Sequence, residues 1–107
     1  MAAQKERLPY EEFRTRGYQE IITPYFSVKA RRNTLKKNRF GIIISTSVIK
    51  SAARRNFFRR QAKVVSHTIS QKGFDFFIIL RPQATLTKKQ IFQETLQKAV
   101  ASLISHI

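Results

Sequence analysis

Apolar positions in this chain follow two periods, and each marks its own kind of element. Near the amino end, Pro9 suits the first turn of a helix, and Tyr10, Phe13 and Gly17 bound a short helical segment with one apolar side. The period then drops to two. Across residues 25–30, Phe26, Val28 and Ala30 fall on one strand face and Tyr25, Ser27 and Lys29 on the other, with Pro24 at the strand's start or edge. Residues 40–46 are nearly continuous in apolar side chains, the pattern of a strand partly covered on both faces. A helical period returns at Ser51, a suitable cap, and runs to about Gln71, ahead of the stop at Gly73. Residues 74–80 form a further apolar strand, ended by Arg81 and Pro82. Thr87 and Gln90 have capping-box spacing, and Phe92, Leu96, Ala99, Val100, Leu103 and Ile107 then share one side of a final helix.

The predicted order is α-β-β-α-β-α, without repeats or low-complexity segments. A strand, helix, strand unit across residues 40–80 implies two parallel neighbours in a mixed sheet, and therefore an α/β (α+β) class. With 107 residues, 42% of them hydrophobic, and nine Phe, the chain suits one core and one domain.

Charge changes this picture from fold to partner. From Ile21 to Phe74 the sequence holds thirteen Lys or Arg and no Asp or Glu; the six acids, Glu6, Glu11, Glu12, Glu20, Asp75 and Glu94, all lie outside. Such a field selects polyanions, because each phosphate neutralised releases condensed counterions. On the helix at residues 51–71, Phe58, Ala62, Val65 and Ile69 form the packing stripe, flanked by Phe57 and Val64. Arg55, Asn56, Arg59, Arg60 and Lys63 occupy the opposite arc. A merely solvated helix face would carry Glu partners three or four residues away, and this one has none. Arg suits a phosphate because its planar fork binds two oxygens, and Asn56 can bond a phosphate, a sugar hydroxyl or a base edge. Residues 31–38 read as a basic loop; together with Arg39 it brings Arg31, Arg32, Lys36 and Lys37 as a weakly specific phosphate grip, the alternative being a solubility device.

Several chemistries are disfavoured. The absence of Cys excludes disulfides and thiolate metal sites. No close carboxylate pair is visible, and His67 and His106 stand apart without metal-ligand spacing, so no catalytic residue and no metal site is expected in the polypeptide. Asp75, opening an apolar strand, reads as a structural turn or cap. Phe74, Phe76, Phe77 and Phe92 read as core from the apolar runs around them. The longest apolar run, residues 76–80, is far below the roughly 20 residues that span a bilayer, and no secretory leader pattern opens the chain; a cytoplasmic protein with no membrane partner is expected. No helix-turn-helix pair surrounds the basic helix, so DNA is not expected either.

The segment Ile49 to Lys63 resembles the signature of the bacterial ribonuclease P protein family, an R-N-R-x-K-R core with an upstream Ala and a small-apolar and basic tail. Arg55, Asn56, Arg59 and Arg60 match the core, Ala52 the upstream Ala, and Ala62 and Lys63 the tail. Phe57 stands where a third base is usual, and Phe58 where a smaller aliphatic is usual. Arg7-Leu8 with Phe13, Phe40-Gly41, and the run Asp75 to Pro82 also resemble family segments, so the likeness covers nearly the whole chain. Thr46 and Ser47 depart where paired bases are frequent; Lys50 and Arg54 supply charge nearby.

The resemblance implies a two-layer sandwich with a left-handed βαβ crossover, whereas general chirality alone favours a right-handed one. It also implies an accessory role: a large RNA performs Mg²⁺-dependent hydrolysis that removes the 5′ leader of precursor tRNA, and the protein, itself binding no cofactor, assists by binding ribonuclease P RNA and the leader. In the family the leader lies in a cleft with aromatic walls. Phe13, Tyr25 and Phe26 are the candidates, the phenylalanines being equally suited to the core, and Lys29 shares a strand face with Tyr25. Stacking suits varied leaders because every base offers a π-face. The alternative is a ribosomal or ribosome-assembly RNA-binding protein without nuclease association, which has no reason to match both the signature helix and the strand that follows.

Overall fold

Strand pairing begins with a turn that one hydroxyl organises. In the computed structural model, which describes residues 17–107, Thr23 Oγ1 accepts from the backbone N–H groups of Tyr25 and Phe26 at 3.2 and 3.1 Å, while the Thr23 N–H donates to the Phe26 carbonyl at 2.8 Å. The chain reverses there through Pro24 and pairs β1 (Gln19–Ile22) with β2 (Phe26–Arg32) in antiparallel register, Ile22 opposite Ser27. β2 also pairs antiparallel with β4 (Phe74–Leu80), which pairs parallel with β3 (Arg39–Ile43), giving the order β1-β2-β4-β3. The sheet is mixed, as the strand, helix, strand pattern requires.

Cross-strand register sorts the side chains into two faces. Phe26, Val28 and Ala30 stand beside Leu80, Ile78 and Phe76, and Phe40 and Ile42 join them from β3. This face meets the two helices, α1 (Ala52–Ser66) and α2 (Lys89–His106). Phe92 of α2 packs edge-on against Phe26 at 5.5 Å and against Phe58 of α1 at 5.2 Å, so one ring joins sheet and both helices. Leu96, Val100 and Leu103 extend the same contact along α2. Buried Gln61 accepts a hydrogen bond from Gln93 across the helix pair, which satisfies a polar group that the packing would otherwise strand. No helix among the described residues is long and apolar enough to cross a membrane.

Several elements differ from the sequence expectation. β1 is an added strand, too short for its alternation to register. The predicted helix around Pro9 and Phe13 lies outside the described residues. α1 caps on Ser51 as expected, its side chain accepting from Arg54 N–H, but it ends at Ser66 rather than near Gln71. Ser66 and Thr68 turn their hydroxyls back onto the Lys63 and Val65 carbonyls, offering the chain an alternative to further helical turns. Gly73, at φ +92°, serves the turn into β4 instead. β3 stops at Ile43, ahead of the predicted Thr46, because Ser45 begins a hydroxyl-bonded turn with Ser47. The capping box at Thr87 and Gln90 does not form: Thr87 Oγ1 closes the 3₁₀ helix Pro82–Leu86 on Ala84 O, and α2 starts after Lys88 without a side-chain cap.

Candidate nucleic-acid interface

The turns of α1 carry two functions because its packing stripe is narrow. Phe58, Gln61, Ala62 and Val65 are buried, which leaves Asn56, Arg59, Arg60 and Lys63 together on the exposed arc. None of these four side chains has a hydrogen bond or ion pair among the described residues. The acids among the described residues are occupied elsewhere: Glu20 accepts from Ser27, Glu94 from Gln90, and Asp75 is buried. Three cations and one amide thus face solvent on a rigid element, with donors available to an incoming phosphate. Phe57, at the position where the family signature usually has a base, packs instead on the core and meets Phe58 edge-on at 5.2 Å. Phe58 is core outright.

Signature residue Arg55 and its neighbour Arg54 have structural engagements as well. Arg55 Nη1 donates to the carbonyls of Ile49 and Lys50 at 3.0 and 2.8 Å, closing the loop that enters the helix. Arg54 reaches Thr85 O at 3.3 Å and lies 5.9 Å from the Phe58 ring centroid. Lys50 is exposed beside them, and Thr46 and Ser47 occupy an exposed turn.

The predicted basic loop divides into two parts. Arg31 and Arg39 are not loop residues but lie in β2 and β3, flanking Asp75 of β4 in register. Arg39 donates through Nε and Nη2, both at 2.8 Å, and Arg31 through Nε at 3.1 Å; Asn33 Nδ2 adds a fourth bond at 2.8 Å. Asp75 is 0% exposed, and the two arginine side chains are 17% and 13% exposed. Burial pushes the carboxyl up, but the hydrogen bonds from Arg39, Asn33 and Arg31 outweigh it and hold Asp75 below its ordinary value. Their guanidinium groups thus form a structural clamp on Asp75, in place of the loose side chains expected of a phosphate grip. Arg32 is likewise tied down, donating to Ile107 O at 2.9 Å and lying over Phe74. Lys36 is exposed and Lys37 half-buried, both in the loop proper.

The face of the sheet away from α1 and α2 carries Ser27, Lys29 and Arg31 of β2, Phe77 and Ile79 of β4, and Arg39 and Ile43 of β3. Beside it, Arg31, Arg39, Asn33 and Leu35 line a groove of about 650 Å³. Of the four residues expected to hold a leader, Phe26 is excluded: it is 0% exposed, on the opposite face, against Phe92. Tyr25 is half-buried in the turn ahead of β2, leaning on the core, and Lys29 is half-buried on the second face. Phe13 lies outside the described residues. Sequence reasoning did not find Asn33, Asn38 and Gln61, whose polar groups hold the loop and the helix pair; two asparagines bracketing a basic loop were the available signal.

The sequence matches the Ribonuclease P family over residues 5–104. The fold is similar to that of the RNase P protein of Staphylococcus aureus, with a TM-score of 0.77 and 20% identity over 90% of this chain and 93% of that one. It is similar also to the RNase P protein from Thermotoga maritima, with a TM-score of 0.68 and 23% identity over 95% of this chain and 97% of that one. No curated protein sequence matches. The order of elements, and the crossover through α1 between parallel β3 and β4, are consistent with that fold. The family match takes in nearly every residue from Lys5 onward, and on that ground the chain belongs to the ribonuclease P protein family.

Proposed function

We propose that this chain is the protein subunit of ribonuclease P, acting in the cytoplasm, and that it binds the catalytic RNA through Asn56, Arg59, Arg60 and Lys63 of α1. The observation that carries the proposal is that the four polar side chains of this arc, all at signature positions, are exposed and have no hydrogen-bond or ion-pair partner among the described residues. A cationic face on a packed helix gains affinity by displacing counterions from RNA, and it reduces the repulsion between catalytic RNA and precursor tRNA. Hydrolysis of the 5′ leader bond is the work of the RNA with its Mg²⁺. The protein's residues bind and position. Tyr25, in the turn ahead of β2, and Lys29, on the second sheet face, are the described residues proposed to hold the leader, by stacking and by charge.

The test is a cleavage assay with ribonuclease P RNA and precursor tRNA, with and without the chain. At low Mg²⁺ the protein should raise cleavage by the RNA, and the protein alone should cut at no Mg²⁺ concentration. Tyr25→Ala should reduce affinity for substrates with leaders of several nucleotides and leave mature tRNA unaffected. An equal loss at every leader length would move Tyr25 into the fold, and cleavage by the isolated protein would overturn the proposal.

A further inference from the structure

At the carboxyl end of α1 the exposed arc runs into a cavity. Arg59, Lys63 and His67 follow one another at i, i+4 spacing, so the arc continues past the last turn. There, Lys36 and Lys37 of the β2–β3 loop and Lys72, ahead of β4, line a cavity of about 230 Å³ together with His67 and Ser66. Among the described residues no carboxylate lines it, and the acid nearest in sequence, Asp75, is held by Arg31, Arg39 and Asn33. Three lysines lining so small a volume give it a strongly cationic wall, and charges closer than the Debye length of about 8 Å in physiological salt add rather than being screened apart.

The walls are fixed before any ligand arrives. Asn38, 9% exposed, donates to Gln71 O at 2.8 Å and accepts from Phe74 N–H at 3.0 Å, which staples the loop to the segment carrying Lys72. Asn33 accepts from Leu35 N–H and donates to Lys37 O, both at 2.9 Å, while its own N–H bonds Gly73 O at 2.8 Å. Lys36 sits at φ +59°, a left-handed conformation that a residue with a side chain keeps only where its surroundings impose it. Helix α1 points its negative end here, which opposes an anion with about half a charge; three lysines outweigh it.

From this convergence we infer a second phosphate site: the cavity between the β2–β3 loop and the end of α1 takes one backbone phosphate of the RNA that lies along α1. The inference rests on the RNA-binding reading above and adds Lys72 and His67, with Lys36 and Lys37, to the contact surface. The rise from Asn56 to His67 is about 16 Å at ~1.5 Å per residue, so the surface becomes a track several nucleotides long.

Two measurements test it. In the first, affinity of the full chain for ribonuclease P RNA is followed across salt for the parent, for Lys37→Gln with Lys72→Gln, and for Arg59→Ala with Arg60→Ala. Loss of one phosphate contact should reduce the slope of log affinity against log salt by about 0.7 to 0.9 in the lysine pair. A parental slope for the lysine pair, with a reduced one for the arginine pair, overturns the pocket and leaves RNA binding by α1 intact. In the second, a uridine hexanucleotide and inorganic phosphate are titrated separately into the isotope-labelled chain, reading the Lys72 amide and the His67 ring. Saturable shifts with the hexanucleotide are expected, and these do not depend on which RNA is the natural partner. Shifts with phosphate alone would make this a small-anion pocket and overturn the RNA assignment, as would no shift with either. Failure of the parent to bind ribonuclease P RNA, with the hexanucleotide shifts present, would instead refute the proposed function and keep the pocket.

Discussion

The protein presents Arg in two opposite settings, the exposed arc of α1 and the clamp at the end of the sheet. On α1, Arg59 and Arg60 are exposed and have no partner among the described residues. In the sheet, Arg31 and Arg39 converge on one carboxylate that has no exposure at all. Both sets belong to the same acid-free stretch of sequence bounded by Asp75. A charge count therefore measures the field a chain can generate, but not which charges are available to a ligand. That is decided by where the strands place the nearest acid.

The largest expected effect breaks the clamp. Asp75→Ala removes the buried carboxylate that Arg31, Arg39 and Asn33 all bond, and should cost about 3–5 kcal/mol of stability in denaturant unfolding. The pH dependence has a definite sign. Because the folded pKa of Asp75 lies below its ordinary 3.8, its contribution is fully present above that value and disappears as pH falls through the lower folded one. Asp75→Asn should therefore be destabilised at neutral pH and flatter than the parent in acid. A parent-like acid limb in the Asn variant would show that the clamp does not govern acid stability.

A smaller effect, in binding rather than folding, is expected from the arc. Arg59→Ala with Arg60→Ala should weaken binding to ribonuclease P RNA by roughly 1 kcal/mol or more per side chain, since each loses a charge-assisted contact. Stability should stay within about 0.5 kcal/mol of the parent, as for ordinary surface changes. Unfolding of the double variant, or parental affinity, would erase the distinction between arc and clamp.

The periodicities made most of this fold legible. Phe26, Val28 and Ala30 alternate as buried residues, and Phe58, Ala62 and Val65 form the stripe on α1, because those patterns are set by burial along a single element. The misread features depend on contacts between distant segments. Arg31 and Arg39 look like loop cations until β2 and β3 are laid beside β4, 36 to 44 residues away, and the four residues of β1 become a strand only by pairing with β2. Phe26 looked equally suited to stacking or core, since its strand face could be settled only by the position of Phe92. The hydroxyls of Ser66 and Thr68 end α1 through local bonds that apolar periodicity does not register.

Arg55 gives the smallest expected effect and the sharpest view of the comparison, because it belongs to both settings. It is a signature residue on the helix that faces RNA, yet its Nη1 closes the loop at Ile49 and Lys50. It is half-buried, so those carbonyls can partly recover water when it is removed. Arg55→Ala should therefore lose about 0.5–1.5 kcal/mol of stability, well short of the clamp, and some RNA affinity besides. Arg55→Lys separates the two losses: an ammonium keeps the charge and one donor direction but not the planar fork. If Lys restores stability and not affinity, the fork serves RNA and the charge serves the loop. If it restores neither, Arg55 belongs with Arg31 and Arg39 as a positioning group. Thermal melting and RNA titration of the two variants, made side by side, decide between these outcomes.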